Sequence, residues 1–319
     1  MGPRDRPPCV RPPTAPRGPS DTARLLEVSG GGPTVVWMRR LILVVAFAAF
    51  IPSAGAASPR ADRIESTYGV GDIRAGDKQW SIGELKIVEA SLRVLGEEEL
   101  PGMRGVELVR MRRSPRILGA GLYKVDGEGP RILVYDRAFQ GEGKGSSTDP
   151  NHTLVHEFGH AIAHKSVRVA TRRADRALAA TNDLVSKYNA AANRFNASAR
   201  EYNATRDPAI RAELRPLSRR VERLGHDVVA SRKKLRKLER SARALHQDYR
   251  SPFPRYGILR DYKTSLGLRF GPTPYGRLNL MESFAESFML HHVDPAALKK
   301  SLPRVHEWFA GEGHLNPRR

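Results

Sequence analysis

The stretch HTLVHEFGHAIAH, from His152 to His164, sets four histidines at intervals of four with one glutamate among them. On a helix a step of four residues advances about 400°, so each imidazole stands nearly above the last. One metal ion cannot touch them all. Within the stretch, His156-Glu157-Phe158-Gly159-His160 has the form HExxH. Two imidazoles one turn apart can share a zinc, and the glutamate between them points to the side where an open coordination position would hold water. Leu154, Val155, Phe158, Ala161 and Ile162 predict a buried helix, in which unpaired inward imidazoles would be costly. His152 and His164 lie a full turn outside the pair and are assigned to the surface or to the surroundings of the site.

A catalytic zinc needs a third protein ligand. HExxHxxGxxH is excluded, because His164 follows His156 by eight residues and that arrangement uses a histidine ten after the first. The remaining candidates lie in PYGRLNLMESFAESFMLHH, residues 274 to 292. Glu282 and Glu286 are one turn apart on a helix whose Leu280, Phe284, Phe288 and Met289 are apolar. Carboxylates in such a setting need a cation or a hydrogen-bond partner. One ligand from this helix would complete a His2Glu zinc site with its fourth position left for water.

The elements that must position these groups can be traced on either side. Ser81 and Glu84 form a capping-box pattern ahead of Leu85, Val88, Leu92 and Leu95, which predicts a helix. Strand-like runs follow at 106 to 111, 117 to 125 and 131 to 139, separated by Gly- and Pro-containing turns. They predict a small sheet leading into the histidine helix, which Asp149 or Asn151 can cap. The glycine-rich loop at 141 to 150 lacks the GxxxxGK[ST] spacing of a phosphate cradle.

Beyond the histidine helix a heptad runs through Leu178, Val185, Ala192 and Ala199 with Thr181, Tyr188, Phe195 and Tyr202. After a break at Arg206-Asp207-Pro208 it resumes through Leu214, Val221, Val228, Leu235 and Ala242 with Leu217, Leu224, Ser231, Leu238 and Leu245. Two such helices joined by a tight turn predict an antiparallel coiled-coil hairpin with an arm on the order of 60 Å. Its outer face is basic, densest at RKKLRK, 232 to 237, and would suit an acidic partner.

The whole chain of 319 residues carries a formal net charge of +20, which favours acidic partners without choosing among them. No specific nucleic-acid motif is present. Residues 1 to 37 are rich in Pro, Arg and Gly, without a hydrophobic period, and are expected to be disordered or to be an upstream extension. From Met38, the run MRRLILVVAFAAFI followed by PSAGAA has the pattern of a signal peptide over 38 to 56, with translation starting at Met38 and cleavage after Ala56. The product would be secreted with no mature transmembrane segment; an uncleaved anchor is the alternative. The single cysteine, Cys9, falls in the discarded part, so a metal must be held by His, Asp or Glu.

HEFGHA together with YGRLNLMESFAESF resembles the catalytic domain of anthrax toxin lethal factor and its relatives, which include the Pro-Pro endopeptidases. The resemblance is close over 270 to 310, looser over 81 to 165, and absent from the predicted hairpin, because relatives join the two motif helices by a shorter segment. It implies an α+β fold with a zincin-like metallopeptidase domain, which the hairpin expected from the heptads, at 171 to 250, would divide into two parts, 57 to 170 and 251 to 319. It implies one Zn2+ per chain held by His156, His160 and Glu282, with Glu157 as general base. Tyr275 would stabilise the oxyanion or protonate the leaving group, and Glu286 would steady a ligand. The expected activity is endopeptidase cleavage of an extracellular protein or peptide, held along a strand at 117 to 125 or 131 to 139. Two other classes compete: a basic coiled-coil binding protein with structural or vestigial zinc, and a zinc amidase acting on cell-wall material.

Overall fold

The computed structural model describes residues 58–112, 119–126, 128–139 and 149–316. The N-terminal extension, the signal-like segment, Cys9 and most of the glycine-rich loop lie outside the described residues. The fold class is α+β. Helices α1 (Pro59–Tyr68), α2 (Ile82–Arg93), α3 (Pro150–Ala163), α4 (Lys165–Thr205), α5 (Pro208–Tyr249), α6 (Gly257–Leu266), α7 (Leu280–Val293), α8 (Pro295–Ser301) and α9 (Pro303–Ala310) accompany one four-stranded sheet. Its strands are β1 (Ile73–Ala75), β2 (Glu107–Arg110), β3 (Gly121–Asp126) and β4 (Gly129–Val134), in the order β1-β2-β4-β3. β1, β2 and β4 run parallel, and β3 closes one edge antiparallel to β4.

The three predicted strand runs each hold a strand, with shifted ends. The last run yields β4 and then a 3-10 turn at Asp136–Phe139. α1 and β1 show that the segment just before the predicted helix belongs to the fold: Ile64 and Ile73 are buried in the common core. The capping box holds as expected, with Ser81 accepting from the Glu84 N–H and Glu84 accepting from the Ser81 N–H. Arg110, fully buried inside the β2 edge of the core, is balanced by Glu84 at 2.7 Å and Asp136 at 2.6 Å and lies over the Phe139 ring.

α4 and α5 form a long antiparallel helix pair that starts immediately after His164, earlier than the expected residue 171. Arg206 takes the left-handed conformation that ends α4, and Asp207 caps α5 by accepting from the Ala209 N–H. Thr181 and Ser231 meet across the seam at 2.7 Å, consistent with the expected register. Leu178 is a correction: it is 43% exposed, while Ala174 and Ala191 are buried. A straight helix of 3.6 residues per turn drifts about 20° per heptad from a strict seven-residue pattern, so positions alternate in serving the seam.

The C-terminal segment is tied to the core through one buried carboxylate. Glu99 lies 3.0 Å from His292 Nε2 and 2.5 Å from His314 Nε2, and accepts from the Gly96 N–H at 2.9 Å. Burial alone would raise its pKa, but these donors overcome it and hold the carboxyl down at about 2, against an ordinary 4.5. A depressed carboxylate stabilises the fold above its unfolded pKa, and that contribution is lost as pH falls through 4.5 toward 2. Glu99→Gln is therefore expected to cost on the order of 3 kcal/mol at neutral pH. Urea unfolding should show the deficit, and it should shrink as the pH is lowered toward the folded-state value.

Candidate metal centre

α3 carries His156, Glu157 and His160, and α7 carries Glu282 and Glu286. Asp149, rather than Asn151, caps α3 by accepting from the Asn151 N–H, with Pro150 following at the first helical position. Asn279 caps α7 and accepts from the Glu282 N–H at 2.9 Å, which fixes the turn that carries the carboxylate. The two helices can come together because Gly159 has no side chain: a Cβ there would sit 3.1 Å from Ala285 Cα and 3.2 Å from the Phe288 side chain. Tyr262 of α6, fully buried, secures α7 from behind through its hydroxyl, which contacts Ser283 and Ser287.

This packing brings His156, His160 and Glu282 together. Glu282 Oε2 lies 3.1 Å from both Nε2 atoms, and the two Nε2 atoms are 3.1 Å apart. The group could hold a metal ion. Its carboxylates favour positive charge, a proton or a metal ion in its place. Burial opposes the charged forms, but mutual contacts prevail, pushing His156 up to about 10 and Glu282 down to about 2. Glu286 Oε1 stands 2.8 Å from His156 Nδ1 and favours the charged ring. Its other oxygen accepts from Thr273 Oγ1 at 2.5 Å, and Thr273 in turn accepts from the Gly276 N–H. Glu286 thus joins the ligand helix to the turn bearing Tyr275, whose ring centroid is 5.6 Å from that of His156. Tyr275 is about half exposed, with its hydroxyl pushed up to about 12 by burial and by Glu282, Glu157 and Glu286.

Glu157 faces the edge strand. Its Oε2 accepts from the Tyr123 N–H at 2.6 Å. The strand lies so near that a Cβ on Gly121 would stand 2.7 Å from Glu157 Cγ and 2.9 Å from Oε1. Gly121→Ala should displace the Glu157 carboxylate while leaving the three ligand atoms in place. For a site in which Glu157 acts as a general base, the expected result is unchanged metal content with a fall in turnover of about 10-fold to 100-fold, as for other misplacements of about 1 Å. Equal turnover in wild type and variant would contradict this reading of Gly121.

Of the outer histidines, His152 is half-buried, and His164, only 3% exposed, takes the second of the two expected placements, in the surroundings of the site. Tyr123 Oη lies 3.0 Å from His164 Nδ1 and accepts from Arg168 Nη1 at 3.0 Å. Burial, then Arg168, His246 and Arg250, hold His164 down at about 3. The imidazole is neutral, and its Nδ1 shares a hydrogen bond with the Tyr123 hydroxyl. The Tyr123 ring is parallel to that of His160, and Tyr249 from the end of α5 packs on His164, 4.5 Å between centroids. The feet of the long helix pair therefore touch the wall of the metal centre.

Gly121, Tyr123, Arg168, Tyr249 and Thr273 were not singled out from the sequence. A glycine inside a strand is a signal of close backbone approach and could have marked Gly121; the tyrosines carry no such signal. Comparison of the chain with family models, with curated proteins and with solved structures gives no match.

Proposed function

We propose that the chain is an exported zinc-dependent endopeptidase with a zincin-like domain, interrupted by an antiparallel coiled-coil hairpin. The observation that carries this reading is the triangle of His156, His160 and Glu282, with Glu157 beside it on the edge strand. The size of the triangle is compatible with zinc, since tetrahedral arms of about 2.05 Å give ligand-to-ligand edges of about 3.3 Å. The observed edges are 3.1 Å. The donor set, two nitrogens and one carboxylate, is also that of a catalytic zinc site. The resemblance of HEFGHA and YGRLNLMESFAESF to the lethal factor class points the same way.

Zinc bound there supplies a water of lowered pKa and polarises the scissile carbonyl. The chain's own groups do the rest. Glu157 takes the proton of the attacking water and passes it to the leaving amine. The Tyr275 hydroxyl, whose raised pKa keeps it protonated at neutral pH, donates to the developing oxyanion. Glu286 holds both the His156 ring and the Tyr275 turn. The strand register supports peptide pairing: Ala120 accepts from the Tyr135 N–H, so Gly121, Tyr123 and Val125 turn their backbone groups away from β4. With the Tyr123 N–H held by Glu157, an extended peptide would use the remaining groups of that edge.

Tyr275→Phe is expected to bind zinc normally and lower kcat by about 10²–10³-fold, the usual cost of one oxyanion donor. An unchanged kcat would remove Tyr275 from the chemistry. The proposal is tested by incubating the full chain, loaded with zinc, with a diverse peptide library and, separately, with cell-wall fragments. Internal cleavage of peptides that stops with a chelator supports the endopeptidase. Turnover of wall amides alone would replace it with the amidase reading.

A further inference from the structure

The outward face of α5 carries a charge pattern that the metal centre does not explain. Between residues 228 and 247 the chain places seven cations, Arg232, Lys233, Lys234, Arg236, Lys237, Arg240 and Arg243, against the single acid Glu239. All seven are exposed. Among the described residues none of the seven takes part in an ion pair; the pair on the hairpin is Lys187–Asp183 of α4.

At about 100° per residue, Lys233, Arg236, Lys237 and Arg240 fall within about 100° of one another. They stand opposite Leu235, Leu238 and Ala242, which face α4. Toward the tip, Arg211, Arg215, Arg219 and Arg223 recur every four residues on the same outward side, about 6 Å apart along the axis. Arg211 to Arg243 is thus a cationic rail of about 48 Å along one helix, with Pro216 inside it and broken on that side by Glu222.

We infer that this rail docks the protein on an anionic phospholipid surface. A cylinder resting on a plane touches it along a line, and a line of cations is what α5 presents. The rail has no wedge to insert: Val229 is the large apolar side chain exposed among the cations, and among the described residues no helix is long and apolar enough to cross a membrane. Adsorption would rest on charge and be reversible. A nucleic acid fits less well, because the rail offers no Tyr, Trp or Phe platform on which bases could stack. The inference is independent of the zinc reading.

The test is co-sedimentation of the full chain with vesicles of mixed phosphatidylglycerol and phosphatidylcholine, beside vesicles of phosphatidylcholine alone. Binding should require phosphatidylglycerol and fall with added salt, as the screening length shortens from about 10 Å at 0.1 M to about 3 Å at 1 M. The double variant Arg236→Glu/Arg240→Glu should bind about tenfold more weakly or worse. Arg219→Glu/Arg223→Glu, at a separate part of the rail, should weaken binding in the same direction. Both pairs are exposed, so helix content should be unchanged. Equal binding to both kinds of vesicle, wild-type binding by both variants, or capture of duplex DNA with no binding to the anionic vesicles would overturn the inference.

Discussion

Glu157→Gln is expected to bind zinc as the wild type does and to hydrolyse peptides about 10²–10⁴-fold more slowly, the range for loss of a positioned general base. The substitution is nearly isosteric. The amide can still accept from the Tyr123 N–H that now holds Oε2 at 2.6 Å, so the edge strand and α3 keep their approach. What it removes is the ability to take a proton. Glu157 is not one of the three converging ligand groups, so metal content should not change. Parallel measurement of metal content and initial rate separates the two effects. Loss of zinc along with activity would mean that Glu157 is structural.

The second large effect is expected at Glu282. Glu282→Ala removes the carboxylate oxygen that lies 3.1 Å from both imidazoles and leaves two ligands where a zinc site needs three. The cap of α7 should survive, because Asn279 accepts from the backbone N–H of residue 282 and not from its side chain. Wild-type protein in zinc at a thousand times Kd should gain about 4 kcal/mol of stability over the chelated protein. The variant should gain little at the same zinc concentration. A thermal shift of equal size in both proteins would place the metal elsewhere.

Much of the centre was legible because its chemistry is local in sequence. HExxH and the ExxxE step each put their groups on one helical face, and helix packing supplies the rest. The capping box of Ser81 and Glu84 was equally readable, and Asp149 was one of two caps named for the histidine helix, since a cap acts within a few residues; Asp207 and Asn279 were not read as caps. The residues that escaped act across the fold. Tyr123 meets Glu157 through its backbone, His160 through its ring and Arg168 through its hydroxyl, and no period in the sequence joins those positions. His164 was left between the surface and the surroundings of the site, because helical angle says where a side chain points but not what covers it. The cover is Tyr249, at the far end of a helix pair that leaves the core and returns. β1 has only three residues, too few for an alternating pattern to show. Leu178 failed for a different reason: a strict seven-residue count outruns a straight helix.

The most direct test of the central claim is the metal content of the purified full chain after equilibration with zinc and removal of the excess, measured beside Glu282→Ala. One zinc per chain in the wild type and almost none in the variant is the expected result. A folded wild type that retains no zinc, or a variant that retains as much, would contradict the metal centre and the hydrolytic chemistry built on it.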